Sequence, residues 1–370
     1  MQYPPYPDAD RGVSLSATPT SNGPAPSSPR AQAPLDATAS ATAAGEALLA
    51  QAIQSWQTGD LLPSCRQALS AAVALSNGPP SPQLPHALRQ AALALCEFGL
   101  AAEALPLART AVRYLEREGL HEPLSACLSC LGHVHARLGQ LDQAELLHMR
   151  ALSLARESID SADRMRAYTN LIVSMSAAHE QALERNDEEG RVMARLALRR
   201  AERQLGGARS LAQDGRLQGG FQGVLKLAVA HLLVLLHRLD EAETMLNQLL
   251  SLWSQDEKTR YWRWSALESM AELLNRRGRP GEAWQLLQEL LLVPELQSNV
   301  QLHGALLRQA MRCLRAVDSP ETAQRLQALE AQRRQWELQN AQAAAEARET
   351  LAQELHLIQP WMQALLSAED

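Results

Sequence analysis

Residues 126–152 read ACLSCLGHVHARLGQLDQAELLHMRAL, and the small residues of this stretch decide the fold. Gly139 predicts a turn between two antiparallel helices, because glycine accepts backbone conformations closed to other residues. Gly132 and Ala144 allow the two helices to approach closely, and Ala151 leaves room for the next helix. A single helix pair cannot bury its apolar face alone, so this stretch predicts neighbouring copies of itself.

The same spacing of small residues recurs along the chain. Upstream, residues 88–112 read LRQAALALCEFGLAAEALPLARTAV. Downstream, residues 237–250 (HRLDEAETMLNQLL) match GQLDQAELLHMRAL, with His237 in place of Gly139, and residues 269–291 (SMAELLNRRGRPGEAWQLLQELL) give another copy. Weaker copies surround Gly59 and Ala323. A stretched copy has helices at 168–175 and 194–201 with a long connection between them.

These copies resemble the tetratricopeptide repeat (TPR), a helix–turn–helix unit of about 34 residues. The resemblance spans residues 46–327. It implies an all-α fold, a right-handed α-solenoid of about six to seven helix pairs followed by a long C-terminal helix. The variable repeat spacing is most similar to the looser arrays of bacterial signalling proteins, which implies a role in signal transduction without an output domain of its own.

Composition narrows the class of protein. The chain has 41 acidic and 35 basic residues, a formal charge of −6, so we expect no nucleic acid as principal partner. Its five cysteines do not suggest a disulfide framework. The apolar run at 224–236 is too short to span a membrane, and the N-terminus lacks an apolar export core. We therefore expect a cytoplasmic protein, and a bacterial one, since arginines greatly outnumber Lys226 and Lys258.

Three segments are predicted. Residues 1–45 form a Pro/Ser/Ala-rich tail that is expected to be disordered. Residues 46–318 form the helical array, with a Gly-rich irregular joint near 206–223. Residues 319–370 form a long helix, which caps the array or pairs as a weak coiled coil because only one of its two heptad rows is apolar. Pro360 is expected to break this helix before a short tail.

No motif predicts catalysis. The sequence has no P-loop, GxSxG, HExxH or kinase signature, so we predict neither an enzyme nor a cofactor. Cys127, Cys130, His133 and His135 have the chemistry of metal ligands, but side chains at this spacing on one helix diverge and cannot surround an ion. We therefore predict packed cysteines rather than a metal site.

Two clusters allow a structural or a binding interpretation. Four arginines recur every four residues: Arg191, Arg195, Arg199 and Arg203. They could form a docking stripe for an acidic partner or a solvated helix face. Five aromatic residues could anchor a partner or fill the core: Trp253, Tyr261, Trp262, Trp264 and Trp284.

The TPR resemblance also implies a binding groove, because the first helix of each unit lines the concave surface in that family. Carried over by position, the groove residues are Arg89, His133, Arg166, Asn170, His231, Glu268, Glu272, Arg308, Arg312 and Arg315. Leu93 replaces the asparagine expected of a complete carboxylate clamp. The implied groove is mostly basic and suits an acidic protein or peptide. Our leading hypothesis is a non-enzymatic scaffold, adaptor or sensory module; the alternative is a regulatory receptor for a small molecule or signalling peptide.

Overall fold

The computed structural model describes residues 32–57, 60–120, 123–157, 161–185, 187–214, 220–253, 259–298, 300–317 and 320–367. Throughout these residues the protein is all-helical, as predicted, and has no strand. The helices are α1 (Gln32–Gln57), α2 (Leu61–Ser76), α3 (Gln83–Glu97), α4 (Ala101–Glu118), α5 (Leu124–Arg137), α6 (Leu141–Glu157), α7 (Ser161–Glu184), α8 (Glu188–Ala212), α9 (Gly220–Leu235), α10 (Leu239–Leu252), α11 (Arg260–Arg276), α12 (Pro280–Leu291), α13 (Pro294–Ser298), α14 (Val300–Arg315) and α15 (Pro320–Ser367). None of the helices in this described part of the chain is both long and apolar enough to cross a bilayer.

Each helix packs against the next one in the chain, and every second helix also contacts its counterpart in the following pair. The contacts α1–α3, α3–α5, α5–α7, α7–α9, α9–α11 and α11–α14 form one continuous row, which we call row A. Helices α2, α4, α6, α8, α10 and α12 lie between its members in the chain. The apolar faces of successive pairs thereby bury each other, as the small-residue spacing predicted.

Four of the turns within helix pairs share one backbone geometry, which recurs at Gly119 between α4 and α5. Their central residues have positive φ angles: 76° at Gly99, 74° at Gly139, 58° at His237 and 74° at Gly278. After each turn, an N–H donates to the carbonyl five residues earlier, an arrangement that satisfies the last carbonyls of a helix. These pairs are Leu100 to Leu95, Gln140 to His135, Arg238 to Leu233 and Arg279 to Leu274. The predicted equivalence of His237 to the turn glycines is confirmed.

The turns lead to a first testable prediction. A Cβ at Gly139 would meet no atom within 4 Å, so Gly139→Ala changes only the backbone preference. We expect it to lower the free energy of unfolding by about 1–2 kcal/mol, since the left-handed region disfavours a Cβ. His237→Gly should raise that free energy by a smaller amount, because it also removes the 3.0 Å contact with Arg276. Urea unfolding measures both changes, and a destabilised His237→Gly would show that the contact outweighs the backbone strain.

Gly207 and Gly223 serve close packing, which differs from the predicted irregular joint. Helix α8 continues through Gly206 and Gly207, and α9 already includes Gly223. A Cβ at Gly207 would lie 2.3 Å from the Tyr168 hydroxyl, and one at Gly223 would lie 2.9 Å from the Trp253 ring. These glycines therefore admit large aromatic side chains rather than a bend. Residues 215–219, in the middle of the proposed joint, lie outside the described residues.

The stretched repeat is also more helical than expected. Helix α7 extends to Glu184, and α8 begins directly after Asp187, whose carboxylate accepts the Gly190 N–H at 2.6 Å. Most of the predicted long connection therefore belongs to the two helices. The stretch AHEQALE consists of good helix formers and has no glycine or proline, which explains the extension.

The N-terminal boundary differs from the predicted one as well. Helix α1 begins at Gln32, within the segment predicted to be a disordered tail, while residues 1–31 lie outside the described residues. The helix packs on α2, with Leu49 and Ala52 buried. A Cβ at Gly45 would lie 2.6 Å from the Leu75 side chain, so the close approach of the two helices already includes this glycine.

Helix α15 departs furthest from expectation. It runs for 48 residues through Pro360, so the predicted break there is wrong. Its second half returns to α2 and α4 and buries an apolar stripe of Ala347, Leu351, Ile358 and Met362. Its far end is therefore neither solvated nor weakly paired, because this stripe is displaced from the heptad row on which the coiled-coil prediction relied.

Polar contacts reinforce this docking. Arg66 of α2 donates to Glu354 at 2.8 Å, and Arg348 donates to Glu103 of α4 at 2.7 Å. The Tyr114 and Trp361 rings lie 6.0 Å apart between centroids, within the range of favourable aromatic pairs. Helix α15 thus connects the last helix of row A with the first helix pairs of the array.

Candidate functional site

Two adjoining cavities lie between row A and α15. The first cavity, of about 420 Å³, is lined by residues of α7, α11, α14 and α15. The second cavity, of about 320 Å³, shares Glu180, Glu184 and Arg308 with the first and extends to Glu97 and Trp336. Burial raises the pKa of Glu97 to about 7, although the Arg137 charge opposes this shift.

Glu272 lies at the centre of a group of charged and polar side chains behind the first cavity. Its buried carboxylate accepts hydrogen bonds from Arg276 at 2.7 Å and from Gln309 at 3.1 Å, and Arg312 lies 3.3 Å away. Burial disfavours ionisation, but the charges of Arg312 and Arg276 and these hydrogen bonds outweigh it and hold the pKa of Glu272 below its ordinary value. Glu272 is thus a satisfied carboxylate.

Glu268 lies one helical turn before Glu272 and lines the first cavity. Only 5% of the residue is exposed, and its buried Oε2 has no hydrogen-bond partner among the described residues. Burial raises the pKa of Glu268, and the nearby carboxylates of Glu180 and Glu272 add to the shift while His231 opposes it. Unlike Glu272, Glu268 forms no ion pair with an arginine in the described part of the chain.

Glu180 joins the cluster from α7. Its Oε1 lies 3.5 Å from Nε2 of the buried His231, whose Nδ1 lies 3.4 Å from the Ser269 hydroxyl. Burial opposes the ionisation of Glu180, while the nearby His231 and the charge of Arg308 favour its ionised form. Glu180 and Glu268 therefore both interact with His231, and Glu272 lies one helical turn from Glu268.

The arginines of the first cavity are paired with acidic residues. Arg308 lies 2.7 Å from Glu184, and Arg315 lies 3.5 Å from Glu330 of α15. Arg333 of α15 donates to Glu337 at 2.8 Å. The expectation of a mostly basic groove therefore changes: the lining has both signs of charge, because α7 contributes Glu180 and Glu184, which repeat register did not reveal, beside the predicted Glu268 of α11.

The predicted groove residues separate into two groups. Arg308, Arg312, Arg315 and Glu268 line the first cavity, and His231 and Glu272 lie directly behind it. The other four predicted residues line neither cavity: Arg89, His133, Arg166 and Asn170. His133 lies 3.3 Å from the Ser174 hydroxyl, while Arg166 pairs with Asp163 and covers the Phe221 ring.

Sequence reasoning missed Glu180, Glu184 and Arg333. The two glutamates are four residues apart in HEQALE, a spacing that puts them on one face of a helix. The spacing of Glu180 and Glu184 did not count toward the groove prediction, because the sequence predicted a connection rather than a helix at these residues. Arg333 belongs to α15, whose passage beside row A has no signature in local sequence.

The arginine stripe has the geometry of a solvated helix face. Arg191 and Arg195 pair with Glu188 at 3.0 and 3.6 Å, and Arg203 pairs with Glu145, all with exposed arginine side chains. The buried arginine of α8 is instead Arg200, which reaches Asp142 and Glu145 of α6.

The aromatic cluster belongs mainly to the core. Trp253 and Trp262 are buried, and the partly buried Tyr261, Trp264 and Trp284 pack against the same hydrophobic clusters. The aromatic residues therefore fill space between α9, α10, α11 and their neighbours, which favours the structural interpretation over a partner anchor.

The cysteine–histidine motif does not converge either. The Cys127 and Cys130 thiols face the backbone carbonyls of Pro85 and Arg89, at 3.9 and 3.8 Å. Burial raises the pKa of both thiols, which disfavours the thiolate form that binds metals. Within the described ranges, no three His, Cys, Asp or Glu side chains are grouped to hold a metal ion.

Neither a scan against models of known protein families nor a search of curated proteins found a match. Function is therefore inferred from the geometry of the two cavities.

Proposed function

We propose that this protein is a non-enzymatic binding module, a TPR-like right-handed solenoid that recognises an acidic peptide or protein segment at the first cavity. Six successive helix pairs, four equivalent turns and the close-packing glycines support the TPR-like assignment. Composition and the resemblance support a place in cytoplasmic bacterial signalling.

The observation on which the proposal rests is the convergence of charged groups from four helices on one concave space. Glu180, Glu268, Arg308 and Arg333 are distant in sequence, yet all line the same cavity. Concave sites with a few convergent polar groups and titratable residues of shifted pKa are typical of binding sites. Because α15 closes one side, the space accepts a peptide segment rather than a globular surface.

The structure determines which substitutions test this proposal. Charge reversal at Arg312 would place a second carboxylate beside the buried Glu272, whose ionised form Arg312 helps to stabilise, so it would disturb the fold as well as the cavity. Arg308→Gln with Arg315→Gln instead removes two positive charges whose partners, Glu184 and Glu330, are partly solvent-accessible. The matched control is Arg195→Gln with Arg199→Gln on α8.

Peptides selected on the full chain from a random display library provide the probe. We expect Asp- and Glu-rich peptides whose affinity falls about tenfold or more in the cavity variant, since charge-assisted hydrogen bonds contribute about 1.5–3 kcal/mol each. Affinity should also decrease with salt, because exposed charges are screened within about 10 Å at 0.1 M. Loss of binding in the α8 variant alone would place recognition on the arginine stripe instead.

The volume of the first cavity favours a second candidate function, a receptor for a small molecule or signalling peptide. A cavity of about 420 Å³ lies in the range occupied by small ligands, roughly 300–1,000 Å³.

A further inference from the structure

The first cavity has an acidic pole at Glu268. Of the converging carboxyl groups, Glu272 is satisfied by Arg276 and Gln309, and Glu180 lies beside His231, whereas the buried Oε2 of Glu268 has no partner in the described part of the chain. An unpaired buried polar group destabilises the fold, and a donor supplied by a ligand would offset that cost. A carboxyl group among other carboxylates suits a cationic donor, such as an ammonium group.

A basic pole lies on α14 and α15. Arg308, Arg312 and Arg315 follow one another at spacings of four and three residues, which places them on one face of α14, and Arg333 approaches from α15. Each guanidinium has five N–H donors, of which its glutamate partner engages only some. The remaining donors suit a carboxylate, which guanidinium groups bind in a bidentate manner.

Apolar side chains complete the lining of the first cavity. Leu183 of α7 and Ala305 and Met311 of α14 contribute aliphatic surface to the same cavity. Leu183, near the C-terminal end of α7, is 41% exposed, so its side chain is available to a ligand.

We propose that the first cavity binds a zwitterionic ligand with an aliphatic side chain, its ammonium group against Glu268 and its carboxylate against the arginines of α14. A free α-amino acid and a short peptide share this chemistry. The inference rests on the proposed function and names the ligand class of the same cavity.

Calorimetric titration of the full chain distinguishes the two sources. The probes are L-leucine, dileucine and trileucine, with N-acetyl-L-leucine and L-leucinamide as analogues that lack one charge. We expect at least one of the three zwitterions to bind, and blocking its amine or its carboxylate to weaken binding by about tenfold or more. The preferred chain length identifies a free amino acid or a peptide as the ligand.

Variants test the acidic pole directly. Glu268→Gln should weaken the zwitterion by about tenfold and leave the affinity for N-acetyl-L-leucine unchanged, because only the free ammonium group uses the carboxylate. Glu289→Gln, an exposed substitution on α12, is the matched control and should change neither. A merely structural Glu268 would instead alter both affinities together.

The proposal is overturned if none of the zwitterions binds at millimolar concentration, or if the acetylated ligand binds as tightly as the free one. If acidic display peptides bind through Arg308 and Arg315 while the zwitterions do not, this inference fails and the proposed function stands. If a zwitterion binds and no acidic peptide does, the acidic-partner proposal fails instead.

Discussion

Replacing Leu351 or Ile358 of α15 by alanine is expected to lower the free energy of unfolding by about 2–5 kcal/mol each. Both side chains are completely buried in the cluster that α15 forms with the first helix pairs. Alanine would leave a cavity there and remove part of the apolar contact that holds the second half of α15. In the double variant, α2 and α4 should lose amide protection, although nearly the whole array separates them from the mutations in sequence.

Urea unfolding measures the total loss, and hydrogen exchange locates it. Leu338→Ala with Leu357→Ala is the matched control, because these leucines of the same helix are 63% and 55% exposed and should change stability by about 0.5 kcal/mol or less. Unchanged protection of α2 and α4 in the Leu351→Ala, Ile358→Ala protein would contradict the docking of α15 on them.

Gly132→Leu should disrupt the helix pair α5–α6, which contains the stretch 126–152. A Cβ at this position would lie 2.9 Å from Nε2 of His148, whose ring is fully buried in α6. The larger side chain would push α5 and α6 apart, and overpacking of this kind costs about 1–3 kcal/mol. The amides of α5 and α6 should lose protection first, since each helix pair depends chiefly on its neighbours.

A second substitution tests the cause. In the Gly132→Leu background, His148→Ala makes room for the leucine and removes two ring nitrogens that have no partner among the described residues. The double variant should therefore be more stable than Gly132→Leu alone, with a coupling of about 1 kcal/mol or more in a double-mutant cycle. Gly281→Leu, where a Cβ meets nothing within 4 Å, controls for the loss of glycine. Additive costs at 132 and 148 would show that this contact does not limit helix packing.

Residues of the candidate site could be predicted from the sequence only where the TPR register assigns them to the concave surface. Arg308, Arg312 and Arg315 share one helix face, so their joint presence in the first cavity follows from spacing along α14. The same register predicted the position of Glu268. It could not predict that the buried Oε2 has no partner among the described residues, because the hydrogen bonds of a buried carboxyl group depend on groups that approach from other helices. Glu272 has the same sequence pattern and is satisfied by Arg276 and Gln309.

By itself, the sequence determined the helix pairs, the turns at Gly139 and His237, and the close approach at Gly132. These features depend on helical periodicity, φ preference and side-chain volume, all of which are local. Only the tertiary structure decided the course of α15 and the charge balance of the first cavity. Arg66 and Glu354 form an ion pair although almost the entire chain separates them in sequence. No local pattern predicts such a contact, because apolar stripes and charges indicate which residues can be buried but not which distant surface covers them.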